Sequence, residues 1–219
     1  MRLAELSERS GVSASTIKYY LREGLLQPGH RVTATQAAYG EEHLRRLRLV
    51  RALIQIGKVP VAVAREVVAA AEDSSLDHHM RLGAAARALP HGPGPAEDDE
   101  ATGIARRSVE ALLEQLDWRC MHDDASPALG TLVASVAALV RLGYPCDTAH
   151  LLSYGRIAAE LAVADLDAVE EQPTAAGQIE AAVALTVLYE PVLLSLRRLA
   201  HVQESARRFG VATDFGSSG

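Results

Sequence analysis

The chain has 219 residues, of which 48% are apolar and 4% aromatic, and a formal charge of -6. So much apolar residue can bury a sizeable core, which excludes a disordered or collagen-like chain, and two cysteines are too few for a disulfide framework. The charge is unevenly placed: residues 1–70 hold eleven Lys or Arg against six Asp or Glu, for +5, and the remainder sums to -11. A basic segment followed by an acidic one suggests a nucleic-acid-binding head on a body with another task. The opening MRLAELSERSG has no apolar signal core, and the weakly polar run 128–140 is shorter than a membrane span of about 20 residues. The expectation is a cytoplasmic protein with no membrane partner. Ala, Leu and Val dominate the apolar residues, so the expected fold class is all-α.

In chain order, residues 3–10 read as a short helix stopped by Gly11, a residue suited to a left-handed helix end. Ser13 then caps a second helix over about 14–23, although Thr16 stands where a capping box would place Glu. Ile17, Tyr20 and Leu21 share one face of it and can meet Leu3, Leu6 and Val12; Ser15, Thr16, Lys18, Tyr19 and Arg22 share the other. Two short helices around a tight glycine turn, the second one polar and basic, form a helix-turn-helix pattern. Residues 30–39 are rich in Thr and Val without a helical period and read as a small β wing. Residues 41–56 read as a long helix with Leu44, Leu47, Val50, Leu53 and Ile54 on one stripe and Arg45, Arg46, Arg48 and Arg51 on the other face. Pro60 opens a further helix through Ala71, and 75–89 can be helical. The segment 90–100, PHGPGPAEDDE, is the clearest linker. Beyond it helices are expected over 101–121, 127–142, 147–169 and 175–208, with Pro191 kinking or splitting the last.

Leu3-Ala-Glu-Leu6, Gly11-Val12-Ser13, Thr16-Ile17-Lys18-Tyr19-Tyr20, Gly24-Leu25-Leu26-Gln27-Pro28, Tyr39-Gly40-Glu41-Glu42 and Leu44-Arg45-Arg46-Leu47 follow one another in an order and spacing that resembles the MerR family of bacterial transcription regulators. The resemblance covers residues 1–72 and implies a winged helix-turn-helix that binds double-stranded DNA. Ser13, Ser15, Thr16 and Lys18 are the candidates for base-edge contact, since small hydroxyl residues at a helix start can approach the major groove closely. The resemblance implies phosphate contacts from Tyr19, Arg22 and the wing, whose one charged residue is Arg31; Tyr39 closes the wing as contact or as structure. It also implies a homodimer on an inverted repeat, RNA polymerase as partner at the promoter, and an effector that shifts the dimer between conformations. This chain departs from the family pattern at Ser15, where many members place Arg, and at Gln36-Ala37-Ala38, where the wing usually bears Arg. It departs again at Pro90, which cuts short the helix that family members use for dimerisation.

The organisation expected from these readings is a head at 1–72, a linking or dimerisation helix and linker at 73–100, a helical bundle at 101–212 and a tail at 213–219 whose GSSG end resembles a cloning remnant. The bundle is the candidate effector or dimerisation domain. Its few large side chains, Trp118, Met121, Tyr144, Tyr154 and Tyr189, are candidates for a pocket that takes a small, partly apolar molecule; the competing reading of each is ordinary core. Cys120, Cys146, His122 and His78-His79 lack the spacing of a metal site, and no metal or cofactor is expected. A Ser nucleophile elbow, a His-Glu-x-x-His helix and a phosphate loop are all missing from the sequence, so no catalytic residue and no enzyme is expected. The competing functions are an architectural DNA-binding or adaptor protein without an effector, and an enzyme tethered to a DNA-binding head.

Overall fold

The computed structural model describes residues 1–33, 36–73, 75–118 and 126–210. It is helical apart from a small antiparallel pair, as the composition predicts. α1 (Leu3–Ser10) ends at Gly11, which takes φ 65°, and α2 (Ala14–Arg22) begins after Ser13, whose hydroxyl accepts from the Thr16 amide. The left-handed turn suits glycine, and a Cβ on Gly11 would also come 2.7 Å from an Arg51 guanidinium nitrogen. β1 (His30–Arg31) pairs with β2 (Ala37–Ala38), His30 opposite Ala38 and Arg31 opposite Ala37, to form the wing. The wing is tied back to the chain start, since the Tyr39 amide donates to the Met1 carbonyl at 2.8 Å.

α3 (Glu41–Arg51) runs into a wider π turn over Ala52–Ile56, closed by a bond from the Gly57 amide to the Ala52 carbonyl. The sequence predicts one helix over this whole stretch, and the axis does continue; only the last turn is wound more loosely. α4 (Val61–Glu72) and α5 (His78–Ala88) follow, α5 capped by Asp77. α6 (Glu100–Gln115) is capped by Asp99, then come α7 (Pro127–Arg141), α8 (Thr148–Glu170) and α9 (Ala175–Phe209). α6 stops earlier than the expected 121, because Leu116 ends the helical bonding and Asp117 takes φ 55°.

Pro191 does not split α9, which is a single helix of 35 residues. The proline withholds one amide from a long ladder and lies where the helix is exposed, so the lost bond is not compounded by burial. α9 is also, among the described residues, the helix long and apolar enough to cross a membrane by length and composition. The sequence reading overlooked it because Glu180, Glu190 and Pro191 break the apolar run.

Two cores hold the molecule together. The larger one gathers Leu6, Val12, Ile17, Tyr20 and Leu25 with Leu44, Leu47, Val50 and Leu53 of α3 and its π turn, Val67 and Val68 of α4, and Ile179, Val183 and Val187 of α9. The smaller one is Ala105, Val109 and Leu113 of α6 against Val133, Val136 and Ala137 of α7, with Trp118, Cys146 and Leu151 at its edge. The first half of α9 therefore belongs to the same core as the head. Gly57 makes that possible: a Cβ there would lie 2.1 Å from a Val187 methyl carbon and 2.9 Å from the Leu53 carbonyl oxygen. The linker is laid along the second unit, the Thr131 hydroxyl donating to the Gly92 carbonyl at 2.7 Å.

Gly57→Ala forces Val187 off its seat and should lower unfolding free energy by about 1–3 kcal/mol in a urea titration. Asp99 accepts from the Thr102 amide and from Arg141 in a two-point contact at 2.8 and 3.0 Å, and these bonds, the Thr102 amide first, hold its carboxyl at about 2. A carboxyl depressed in the folded state stabilises it above its ordinary value, near 4, and ceases to do so as pH falls through about 2. Asp99→Ala should therefore lower the melting temperature by an amount that is constant at neutral pH and shrinks between pH 4 and pH 2.

Candidate nucleic-acid interface

α2 is anchored from below by Ile17 and Tyr20, both buried, which fixes the direction of its outer face. Ser15, Lys18, Tyr19 and Arg22 stand on that face and are exposed. At its start three hydroxyls converge: Ser13 Oγ lies 2.8 Å from both Ser15 Oγ and Thr16 Oγ1 while it accepts from the Thr16 amide at 3.1 Å. This makes a compact group of donors and acceptors at a helix N-terminus, where the peptide dipoles also favour a negative ligand. The Arg22 guanidinium lies 5.4 Å from the centre of the Tyr19 ring, so the two side chains share one surface. Arg31 projects from β1 and is exposed. Among the described residues no carboxylate pairs with Lys18, Arg22 or Arg31, which leaves three cations for phosphate. Their positive charge is the sequence-independent part of duplex binding.

Tyr39 lies elsewhere. It is 8% exposed, packs edge-on against His43 with ring centres 5.3 Å apart, and sits under Gly29, where a Cβ would come 2.9 Å from the ring. The ring is thus part of the core of the head. His43 in turn accepts the Gly40 amide on Nδ1 at 3.0 Å, so the same pair starts α3 and closes the wing.

The arginine face of α3 is divided. Arg45 donates to Glu180 of α9 at 2.6 Å, and Arg46 donates to Glu72 at 2.6 Å and lies 3.4 Å from Glu180. These two are turned to the protein's own C-terminal helix. Arg48 and Arg51 line an open cleft of about 560 Å³ with Arg9, beside the Gly11 turn. Sequence reading missed Glu180, which is buried at 8% exposure. Its signal was an acid on the same stretch as Ile179, Val183 and Val187, and its partners lie 135 residues away.

The expected effector residues are not drawn together in the described part of the structure. Trp118 is half-buried at the edge of the α6/α7 core, while Tyr144, Tyr154 and Tyr189 are exposed. Met121, with Cys120 and His122, lies outside the described residues. A different recess, of about 350 Å³, opens where the head, linker, α7 and α9 meet, lined by Gly57, Val59, Leu89, Thr131, Val187 and Glu190 among others. Among the described residues no three His, Cys, Asp or Glu side chains gather as for a metal ion.

A recognition helix set on a helix-turn-helix, a two-stranded wing and an outer face of unpaired cations define a winged-helix DNA-binding protein. The sequence model of the MerR HTH family of regulatory proteins matches residues 1–71. The chain is 35% identical over 75 residues to the heavy metal-dependent transcription regulator 2 of Rhizobium meliloti, covering 34% of this chain and 50% of that one. It is 36% identical over 50 residues to a ZntR homolog of Haemophilus influenzae, covering 23% and 37%. The chain thus spans about half the length or less of these relatives, and what matches is the head. The crystal structure of SCO5550 from Streptomyces coelicolor A3(2), an inferred transcriptional regulator, superposes with a TM-score of 0.83 at 53% identity, covering 96% of this chain and 99% of that one. The chain belongs to the MerR family of DNA-binding transcriptional regulators.

Lys18→Ala and Arg22→Ala should each weaken binding to duplex DNA and lower the slope of log affinity against log salt by about one unit. Arg45→Ala should leave that slope unchanged, because Glu180 already holds the side chain. Fluorescence anisotropy of a labelled duplex across a salt series measures all three.

Proposed function

We propose that this chain is a cytoplasmic, dimeric promoter-binding regulator whose two heads take the two arms of an inverted repeat, with RNA polymerase as the partner at that promoter. The observation that carries it is the outer face of α2, where the hydroxyls of Ser13, Ser15 and Thr16 converge, Lys18 is exposed, and Tyr19 and Arg22 share one surface; in this reading the first four meet base edges, and Tyr19, Arg22 and the wing Arg31 meet phosphates. One head makes few contacts, so a specific site calls for two, and a two-fold protein matches a two-fold operator. Distortion of the DNA between the arms, read as deformation energy, is then the means of regulation.

A small, partly apolar effector acts through the helical body. The recess between Gly57, Leu89, Thr131, Val187 and Glu190 supports this, because an occupant there touches the head, the linker and α9 at once. A ligand with unequal affinity for two arrangements of these parts shifts their balance. The heavy-metal dependence in the name of the Rhizobium meliloti relative does not extend to this proposal, since only the head is matched.

Genomic fragments selected with the purified protein and then footprinted test the reading. A protected inverted repeat within a promoter spacer is the expected result. Protection spread over many unrelated sites would replace it with an architectural role. The one tryptophan, Trp118, packs at the edge of the α6/α7 core and so reports on α7, which lines the recess: compounds that change the footprint by moving α7 should change its emission.

A further inference from the structure

The hairpin of α8 and α9 carries far more apolar surface than it buries. Of the 23 residues of α8, only Gly155 and Val169 are buried, and α9 has no buried residue after Val187. Among the described residues, fourteen of the eighteen large hydrophobic side chains that are exposed lie from Leu142 onward. Tyr154, Ile157 and Leu161 form a stripe on α8. On α9, Tyr189, Val192, Leu196 and Leu199 recur at three- and four-residue steps, the spacing of a helix that packs along another helix, and Val202 and Phe209 extend the apolar surface at 70% and 80% exposure. A soluble monomer rarely leaves so large a continuous apolar area in water.

The charges on the two helices are of opposite sign. α8 carries Glu160, Asp165, Asp167 and Glu170 against Arg156, and α9 beyond Pro191 carries Arg197, Arg198, Arg207 and Arg208 against Glu204. Among the described residues no ion pair joins the two sets, and Arg207 and Arg208 share the one Glu204 of their own helix, two cations to one carboxylate. Arg197 lies over the Tyr154 ring at 5.9 Å, near the start of α8, so the last ten or so residues of α9 run on past it. At 1.5 Å per residue that overhang is about 15 Å of basic, apolar helix with no partner among the described residues. α5, where the family resemblance places the dimer helix, is 11 residues long and packs against α4 and α9 of its own chain.

We propose that a second copy of this chain covers this face, the distal half of α9 lying along α8 of the partner in a two-fold arrangement. Apolar stripe then meets apolar stripe, and the basic end of each α9 meets the acidic α8 of the other copy. The same surface is self-complementary, as a two-fold interface requires. The proposal rests on the two-headed reading above and places its seam on α8 and α9 rather than on the helix after the head.

The full-length protein and its Leu196→Glu/Leu199→Glu variant test it by sedimentation equilibrium. Both residues are exposed, so the variant should keep its helicity by circular dichroism and its head should still bind duplex DNA. The expected result is a wild type of twice the 23.4 kDa chain mass and a variant whose dimer dissociation constant rises about tenfold or more. In a footprint the variant should then protect one arm where the wild type protects two. A variant that stays as dimeric as the wild type overturns the surface and leaves the two-headed reading standing. A monomeric wild type that protects a single arm overturns both. A monomeric wild type that floats with phosphatidylcholine vesicles overturns the proposal in favour of a membrane covering α9.

Discussion

The first half of α9 is packed into the core of the head, and the rest of the arrangement depends on that contact. Ile179, Val183 and Val187 are buried with Leu44, Leu47, Val50 and Leu53, and each such side chain contributes roughly 1.5–3 kcal/mol when removed from water. Gly57 leaves the space into which Val187 fits, and Glu180 joins the same seam by its ion pairs to Arg45 and Arg46. A buried carboxylate adds less to stability than its short distances suggest, because desolvation opposes the attraction. Its effect is directional: it lets α9 lie on α3 only where two arginines can reach it.

This seam places the DNA-facing surface and the C-terminal helices on one continuous body. α2 is held by Ile17 and Tyr20 in the same core that holds α9, so packed side chains connect the base of the recognition helix to α9. The recess lined by Gly57, Val187 and Glu190 lies at this joint. A molecule lodged there, and a second chain gripping the distal half of α9, would both act on the helix that is set into the head. The proposed effector site and the proposed dimer seam would thus share one element, α9.

The division of the α3 arginines shows what a pattern of charges leaves open. Read along the sequence, Arg45, Arg46, Arg48 and Arg51 form one basic face. In the folded chain Arg45 and Arg46 are taken by Glu180 and Glu72, while Arg48 and Arg51 line a cleft near the Gly11 turn. On α2 and the wing, by contrast, Lys18, Arg22 and Arg31 have no acidic partner among the described residues. Tyr39 makes a similar point: a position at the end of a wing does not reveal that its ring packs against His43 and beneath Gly29.

Local signals were sufficient for the head and for most helix limits. Gly11 suits a left-handed turn, Ser13 has a hydroxyl for the Thr16 amide, and the apolar periods of 3–21 and 41–54 each have one face to bury, so these residues determine a helix-turn-helix and the helix behind it without reference to anything distant. The family pattern of 1–72 could be read for the same reason. Tertiary structure decided what no local rule contains: that Glu180 reaches back 135 residues to Arg45, that α9 stays whole across Pro191, and that Val187 finds its seat on Gly57. It also decided which helical stripes were left uncovered, because α8 and the end of α9 have the apolar spacing of buried helices and yet face water in the single chain. A period tells which face of a helix seeks burial; only the assembled chain tells whether that face has found a partner.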